Sequence, residues 1–189
     1  IISWEITVPQ YVYRLGYYFN DKHDMGVEFN FDHSKYVMVQ DQTVRIKGQI
    51  HDQILDKDTI LGTDFLKFEH TNGANFMMGN FLKRINFYHS ADKKHWLSAV
   101  AKFGAGIVIP KTDVTLFGNQ LDNRFHIAGW IAGSETGIRY DGFKHFFAEA
   151  TLKGTFANYS DVLVIGTGKA SHSFWTGQLI LNAGFQFGW

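Results

Sequence analysis

The sequence predicts an all-β protein, an antiparallel up-and-down transmembrane β-barrel of about eight strands. Three observations predict it. Apolar and polar residues alternate over long runs, the connections between runs alternate between short and long, and the last run ends on aromatics. A wall of this kind encloses a polar interior and turns its apolar side chains outward.

The last run shows the pattern most clearly. Its odd positions read Trp175, Gly177, Leu179, Leu181, Ala183, Phe185, Phe187 and Trp189. Its even positions read Thr176, Gln178, Ile180, Asn182, Gly184, Gln186 and Gly188. Successive side chains on a strand face opposite sides, so one face is apolar and the other is polar except at Ile180. A soluble sandwich also alternates, but its strands typically span about 5–6 residues. Length, with aromatics near both ends, favours a membrane-spanning strand.

The other elements follow in order. Ser3–Val8 sets Trp4, Ile6 and Val8 against Glu5 and Thr7. It is either a first strand joined by a tight Pro9-Gln10 turn or the end of one that begins before Ile1. Tyr11, Tyr13, Leu15, Tyr17 and Phe19 oppose Arg14. Val27, Phe29 and Phe31 oppose Glu28, Asn30 and Asp32. Met77, Phe81, Ile85 and Phe87 oppose Asn80, Arg84 and Asn86, with Lys83 on the apolar side as a snorkelling lysine. Leu97, Ala99, Ala101, Phe103, Ala105 and Ile107 oppose Ser98 and Lys102. Trp130, Ala132, Ile138 and Tyr140 face away from Glu135 and Arg139. Phe146, Ala148, Ala150, Leu152, Gly154 and Phe156 oppose Glu149, Thr151, Lys153 and Thr155.

Short polar connections fall at Asn20–Asp24, Ser90–His95 and Asp141–Lys144, and long ones at residues 39–74, 110–125 and 157–172. Outer-membrane barrels have short periplasmic turns and long external loops. Counting back from the last strand puts all the short connections on one side. Val44–Ile50 and Phe65–Glu69 are expected to form a hairpin extending the first long loop. A ten-strand alternative would recruit both into the wall.

Composition narrows the function classes. The 189 residues suffice for a single domain (1–189), and 18 basic residues balance 18 acidic ones, so nothing favours nucleic acid. There is no cysteine, hence no disulfide framework. No run of 18 apolar residues exists, and a mean hydropathy of −0.16 says little, because half of every barrel strand is polar. The chain starts on Ile1 and is expected to be a processed or truncated form.

The polar faces carry Arg14, Glu28, Asp32, Arg84, Lys102, Glu135, Arg139, Glu149 and Lys153, with Glu5 if the first strand is as drawn. An eight-strand barrel is just wide enough for side chains to fill it, so these charges are expected to form an interior ion-pair network. A narrow polar tunnel is the sharper alternative.

Catalytic signals are sparse. His70-Thr71 and Ser171-His172-Ser173 place neighbours on opposite faces, so neither makes a simple nucleophile–base pair, and Asn72-Gly73 reads as a turn. Asp32, His70 and His172 are the candidate catalytic residues at the outer rim. The nine histidines give no zinc signature, so no metal and no cofactor are expected. His23, His89, His95 and His145 fall beside short turns. His33, His51, His126 and His172 fall towards the long connections.

Four resemblances come from these residues. Gly184, Phe187 and Trp189 resemble the C-terminal insertion signal of bacterial outer-membrane barrels. His70-Thr71-Asn72-Gly73 resembles the His-X-Ser-Asn element of outer-membrane lipid A deacylases and phospholipases, with Thr71 one place early for the serine. Phe103–Pro110, Gly129–Tyr140 and Phe147-Ala148-Glu149 look like small barrels of the OmpA-like and lipid A-modifying groups. The region around Phe68–Arg84 looks like members identified as lipid A oxidases.

The resemblance implies an outer-membrane location, with lipid, lipopolysaccharide and the barrel-insertion machinery as partners. Three roles are expected: a structural barrel or assembly subunit, a lipid A-modifying enzyme, and a narrow channel. Ile50, Ile54, Leu55, Ile60, Leu61 and Phe65 make the 39–74 loop the expected docking surface for other envelope proteins.

Overall fold

The computed structural model describes residues 10–19, 24–50 and 52–187. The Ser3–Val8 strand, Glu5, His23, His51 and Trp189 lie outside the described residues. Within them every regular element is a strand and every pairing is antiparallel.

The principal sheet has seven strands: β1 (Val12–Tyr18), β2 (Met25–Asp32), β6 (Ala74–His89), β7 (His95–Pro110), β10 (Gly129–Gly142), β11 (Phe146–Leu163) and β12 (Lys169–Phe185). Sequence neighbours are spatial neighbours throughout. β1 and β12 are its edges, and no ladder joins them among the described residues.

The sheet is rolled. A flat one would separate β2 from β11 by four strand spacings, about 19 Å. Yet Lys153 on β11 reaches Asp32 on β2 at 2.5 Å, and Arg14 on β1 reaches Glu135 on β10 at 3.0 Å. The concave face therefore closes over its own side chains. Along β11 the buried positions are Glu149, Thr151, Lys153, Thr155, Ala157 and Tyr159, while Leu152 between them stays 64% exposed.

One smaller sheet covers one end and a hairpin stands apart from it. β5 (Leu66–Glu69), β8 (Asp113–Leu116) and β9 (Asn119–Asp122) form a three-stranded sheet, and Val37 bridges to Glu69. Their side chains extend the core: Phe68 and Val114 pack with Phe76, Met78, Val108, Ile131, Ala157, Tyr159 and Val162. β3 (Thr43–Ile50) and β4 (Gln53–Ile60) form a separate hairpin.

Several expectations need correction. Val44–Ile50 pairs with Gln53–Ile60, and the segment at Phe65–Glu69 instead pairs with residues 113–116 of the next connection. Register explains the first choice: Thr43↔Ile60 through Ile50↔Gln53 closes locally. Neither segment joins the seven-stranded sheet. Residues 110–125 contain the β8–β9 hairpin. Residues 157–172 are not a long loop, because β11 continues to Leu163 and β12 begins at Lys169, with a register shift between Tyr159 and Val162. That irregularity breaks the alternation at the point where the sequence stops reading as strand. Lys83 is ion-paired to Asp24 at 2.6 Å.

Two glycines show how closely the strands approach. At Gly106 a Cβ would meet the backbone of Met77 and Met78, whereas at Gly154 it would meet nothing. Gly106→Val should therefore destabilise by about 1–3 kcal/mol, and Gly154→Val by less than about 0.5 kcal/mol. Equilibrium unfolding in urea reads both. Equal costs would refute the packing argument.

Candidate functional site

The concave face holds two chemically distinct layers. The first is ionic. Arg14 donates to Glu28 at 2.7 Å and to Glu135 at 3.0 Å. Lys102 donates to Glu28 and Glu149, both at 2.8 Å, and lies 3.7 Å from Glu135. Arg139 continues to Glu149 at 3.1 Å and Asp141 at 2.8 Å, and Arg84 closes on Asp141 at 3.3 Å. Lys153 and Asp32 make a further pair. The nine residues named from sequence all lie in this layer. Asp141, assigned to a turn, belongs to it as well, two residues beyond Arg139 on the same strand face. With it, five cations (Arg14, Arg84, Lys102, Arg139, Lys153) meet five carboxylates (Glu28, Asp32, Glu135, Asp141, Glu149).

Neutral groups complete the layer. Asn80 donates to Asn30 at 2.6 Å, Arg139 donates to Gln186 at 2.7 Å, and the Arg139 guanidinium lies over the Phe147 ring at 3.9 Å. Charges buried this deeply are retained only when paired and hydrogen-bonded.

The second layer is aromatic and lies towards the β5–β8–β9 sheet. Tyr36, Phe68, His70, Tyr159, His172 and Phe174 form one cluster of rings. His70 and His172 lie 5.3 Å apart between centroids, His70 and Tyr159 5.2 Å, and Tyr159 and His172 4.7 Å. Thr112 Oγ1 sits 3.1 Å from His70 Nδ1. Burial, reinforced by the nearby His172 and His126 rings, pushes the His70 imidazole down to about 3. Burial alone pushes His172 down to about 4 and raises the Tyr159 phenol.

The candidate catalytic residues therefore separate. His70 and His172 meet, but Asp32 is engaged by Lys153 in the ionic layer. Thr71 turns away and donates to Glu69 at 3.2 Å. The hydroxyl that reaches His70 is Thr112, and that pair is sealed, with exposures of 1% and 0%. Sequence reading missed Thr112, Tyr36 and Tyr159. Tyr159 carried a usable signal, because it continues the inward alternation Thr155, Ala157.

At the rims, His95 Nδ1 contacts Tyr140 Oη at 2.6 Å, His33 Nδ1 contacts Asn75 Oδ1 at 2.8 Å, and the Gly184 backbone packs on the Phe147 ring. Phe187 is exposed. The chain matches no known family model, no curated protein and no solved structure.

Two outcomes are expected. Lys102→Met strands the carboxylates of Glu28 and Glu149 and should cost about 3–5 kcal/mol in urea unfolding. A Lys102→Met/Glu149→Gln double variant should cost less than the sum of its single variants. The histidines act through pH. Their native values lie below the ordinary 6.5, so the unfolded chain takes up their protons first. Their stabilisation is complete above pH 6.5 and is lost as pH falls towards 3–4. His70→Phe/His172→Phe should flatten the fall in melting temperature over that window relative to wild type.

Proposed function

We propose that the protein is a small outer-membrane β-barrel whose role is structural, standing alone or as a subunit of an envelope assembly. One observation carries this reading: the sheet is inside out. Its concave face buries ten paired charges. Its convex face exposes Leu15, Phe29, Phe81, Phe103, Ile138, Leu152, Leu179 and Leu181 from all seven strands. A protein surrounded by water does not present so continuous an apolar band; lipid requires it.

The dimensions support the same reading. Trp130, Phe156 and Trp175 pack side by side across β10, β11 and β12, with centroids 5.6 and 5.0 Å apart. Phe146 and Phe185 form a lower pair 6.3 Å apart. Trp175 to Phe185 covers about 34 Å along the strand, or about 25 Å after a tilt of roughly 40°. That matches the apolar band between aromatic girdles in barrels of this class. The ionic layer lies within this height. The aromatic layer, with His172 and Tyr159, lies beyond the Trp175 girdle.

Closure follows from the same physics. Free edges at β1 and β12 would leave backbone groups unpaired in lipid. An eighth strand between them would close the seam and satisfy both edges. Short connections face the periplasm and the covered end faces out. The aromatic layer disfavours a conducting pore, and the sealed Thr112–His70 pair disfavours lipid A chemistry. The β3–β4 hairpin, with Ile54 88% exposed, is the proposed docking surface for another envelope protein.

Reconstitution tests the membrane reading. In vesicles with brominated acyl chains, tryptophan emission should be strongly quenched, and Trp175→Phe should remove part of the quenched signal. Soluble monomer without detergent, or unquenched emission, would overturn it. Silence in planar-bilayer recordings is expected, whereas steady ionic conductance would favour the channel.

A further inference from the structure

We infer that the rim at the short-connection end is a contact surface for anionic phospholipid headgroups, an inference that rests on the membrane reading above. Lys93, Lys94 and Lys144 supply the charge, and His95 joins the two turns that carry them. β7 and β10 are neighbours with His95 opposite Gly142, so the turns after β6 and β10 lie side by side. The His95 ring packs on Tyr140 at 5.9 Å and on Phe143 at 5.1 Å. The Trp96 indole donates to the Lys93 carbonyl at 3.1 Å and packs on the His89 ring.

Charge is divided unevenly between the two ends. With Asp141 turned inward to Arg84 and Arg139, the short connections and Lys83 carry five lysines against three aspartates. Residues 33–73, 110–128 and 160–169, at the other end, carry eight cations against nine carboxylates. A chain of zero net charge therefore has one positive end. Two of that end's carboxylates are engaged locally. Asp24 pairs with Lys83 at 2.6 Å, and Asp92 accepts from the Ser90 hydroxyl at 2.5 Å and the Lys94 amide at 3.2 Å. Lys94 Nζ lies 3.8 Å from Asp92, while Lys93 and Lys144 stand exposed beside it.

The placement matches a headgroup layer. His95, Gly142, Phe146 and Phe185 share one row across β7, β10, β11 and β12, the row of the lower aromatic pair. The three lysines lie one or two residues beyond that row, up to about 7 Å at strand spacing. The headgroup region on each side of the hydrocarbon is about 5–8 Å thick, so the ammonium groups fall among the phosphates. Backbone geometry points the same way. Lys93, Phe143 and Lys144 have φ of 54°, 55° and 71°, the left-handed region that favours glycine or asparagine. Turn positions that hold lysine and phenylalanine against that preference are kept for their side chains. Clustered lysines favour a headgroup of net negative charge over a zwitterionic one.

The test uses the full chain reconstituted in phosphatidylcholine vesicles. A minor fraction of the lipid is either phosphatidylglycerol or phosphatidylcholine, brominated on its acyl chains near the headgroup. Brominated phosphatidylglycerol should quench tryptophan emission at least about twofold more than an equal fraction of brominated phosphatidylcholine. Trp96→Phe should reduce that excess. Lys93→Gln/Lys94→Gln/Lys144→Gln should abolish it, and all three side chains are exposed, so the fold is kept. In the wild-type protein, salt at about 1 M shortens the screening length to about 3 Å and should erase the excess with no variant at all. Equal quenching by the two lipids, or an excess that survives the lysine variant, Trp96→Phe or high salt, would overturn the site. No quenching by either lipid would overturn the membrane reading, and the site with it.

Discussion

The pairing of charges across the rolled sheet is the constraint on which the rest depends. Lys102 sits at its centre, contacting carboxylates that arrive from β2, β10 and β11. The β7–β10 ladder sets Glu135 opposite Lys102, but no ladder joins β7 to β2 or to β11. They meet because the sheet curls until its inward side chains touch, and they remain charged because each finds opposite charge at hydrogen-bond distance. Flattening the sheet would break the pairs that cross it: Lys102 with Glu28 and Glu149, Arg14 with Glu135, Arg84 with Asp141 and Lys153 with Asp32. Curvature and ionic pairing are therefore one condition, and the outward faces inherit their composition from it. With the charged groups of the wall, Lys83 apart, turned inward, what remains outside is largely apolar.

The inward face changes character along its length for a related reason. Where long side chains from opposite strands can meet, the filling is ionic. Nearer the long connections, smaller inward residues such as Ala157 and Thr155 leave room that Phe68, Val114 and Tyr36 fill from outside the principal sheet. Glycine serves the same geometry. Gly104 and Gly106 let β7 lie against β6 where any Cβ would strike backbone. The plug is thus held by packing, and the ionic layer below it by charge.

Much of this was legible because period-two alternation fixes faces once the strands are placed. Arg14, Glu28, Lys102, Glu135 and Glu149 could be assigned to one interior from parity alone. Asp141 was not, because its neighbour Gly142 and the following Phe143–Lys144 read as turn. Parity from Arg139 still put it inward. The loop pairings were illegible for a different reason. Leu66–Glu69 and Asp113–Leu116 are short, lie far apart in sequence and carry no turn signal linking them, so only tertiary contact selects their register.

The aromatic cluster marks where sequence reasoning reaches its limit. His70, Tyr159 and His172 come from different connections and strands, so no ligand spacing announces them. What unites them is a deficiency: each offers a buried polar atom with nothing to bind. The ionic layer follows another rule, matching each formal charge with a counter-charge even by reaching across the rolled sheet. Single atoms of that layer lack a partner as well, Arg14 Nε and Arg84 Nε among them, so pairing there is of charges and not of every polar atom. Neutral rings gain nothing from such proximity that phenylalanine would not supply more cheaply. The cluster is held by ring stacking and burial, and the same burial keeps both imidazoles neutral.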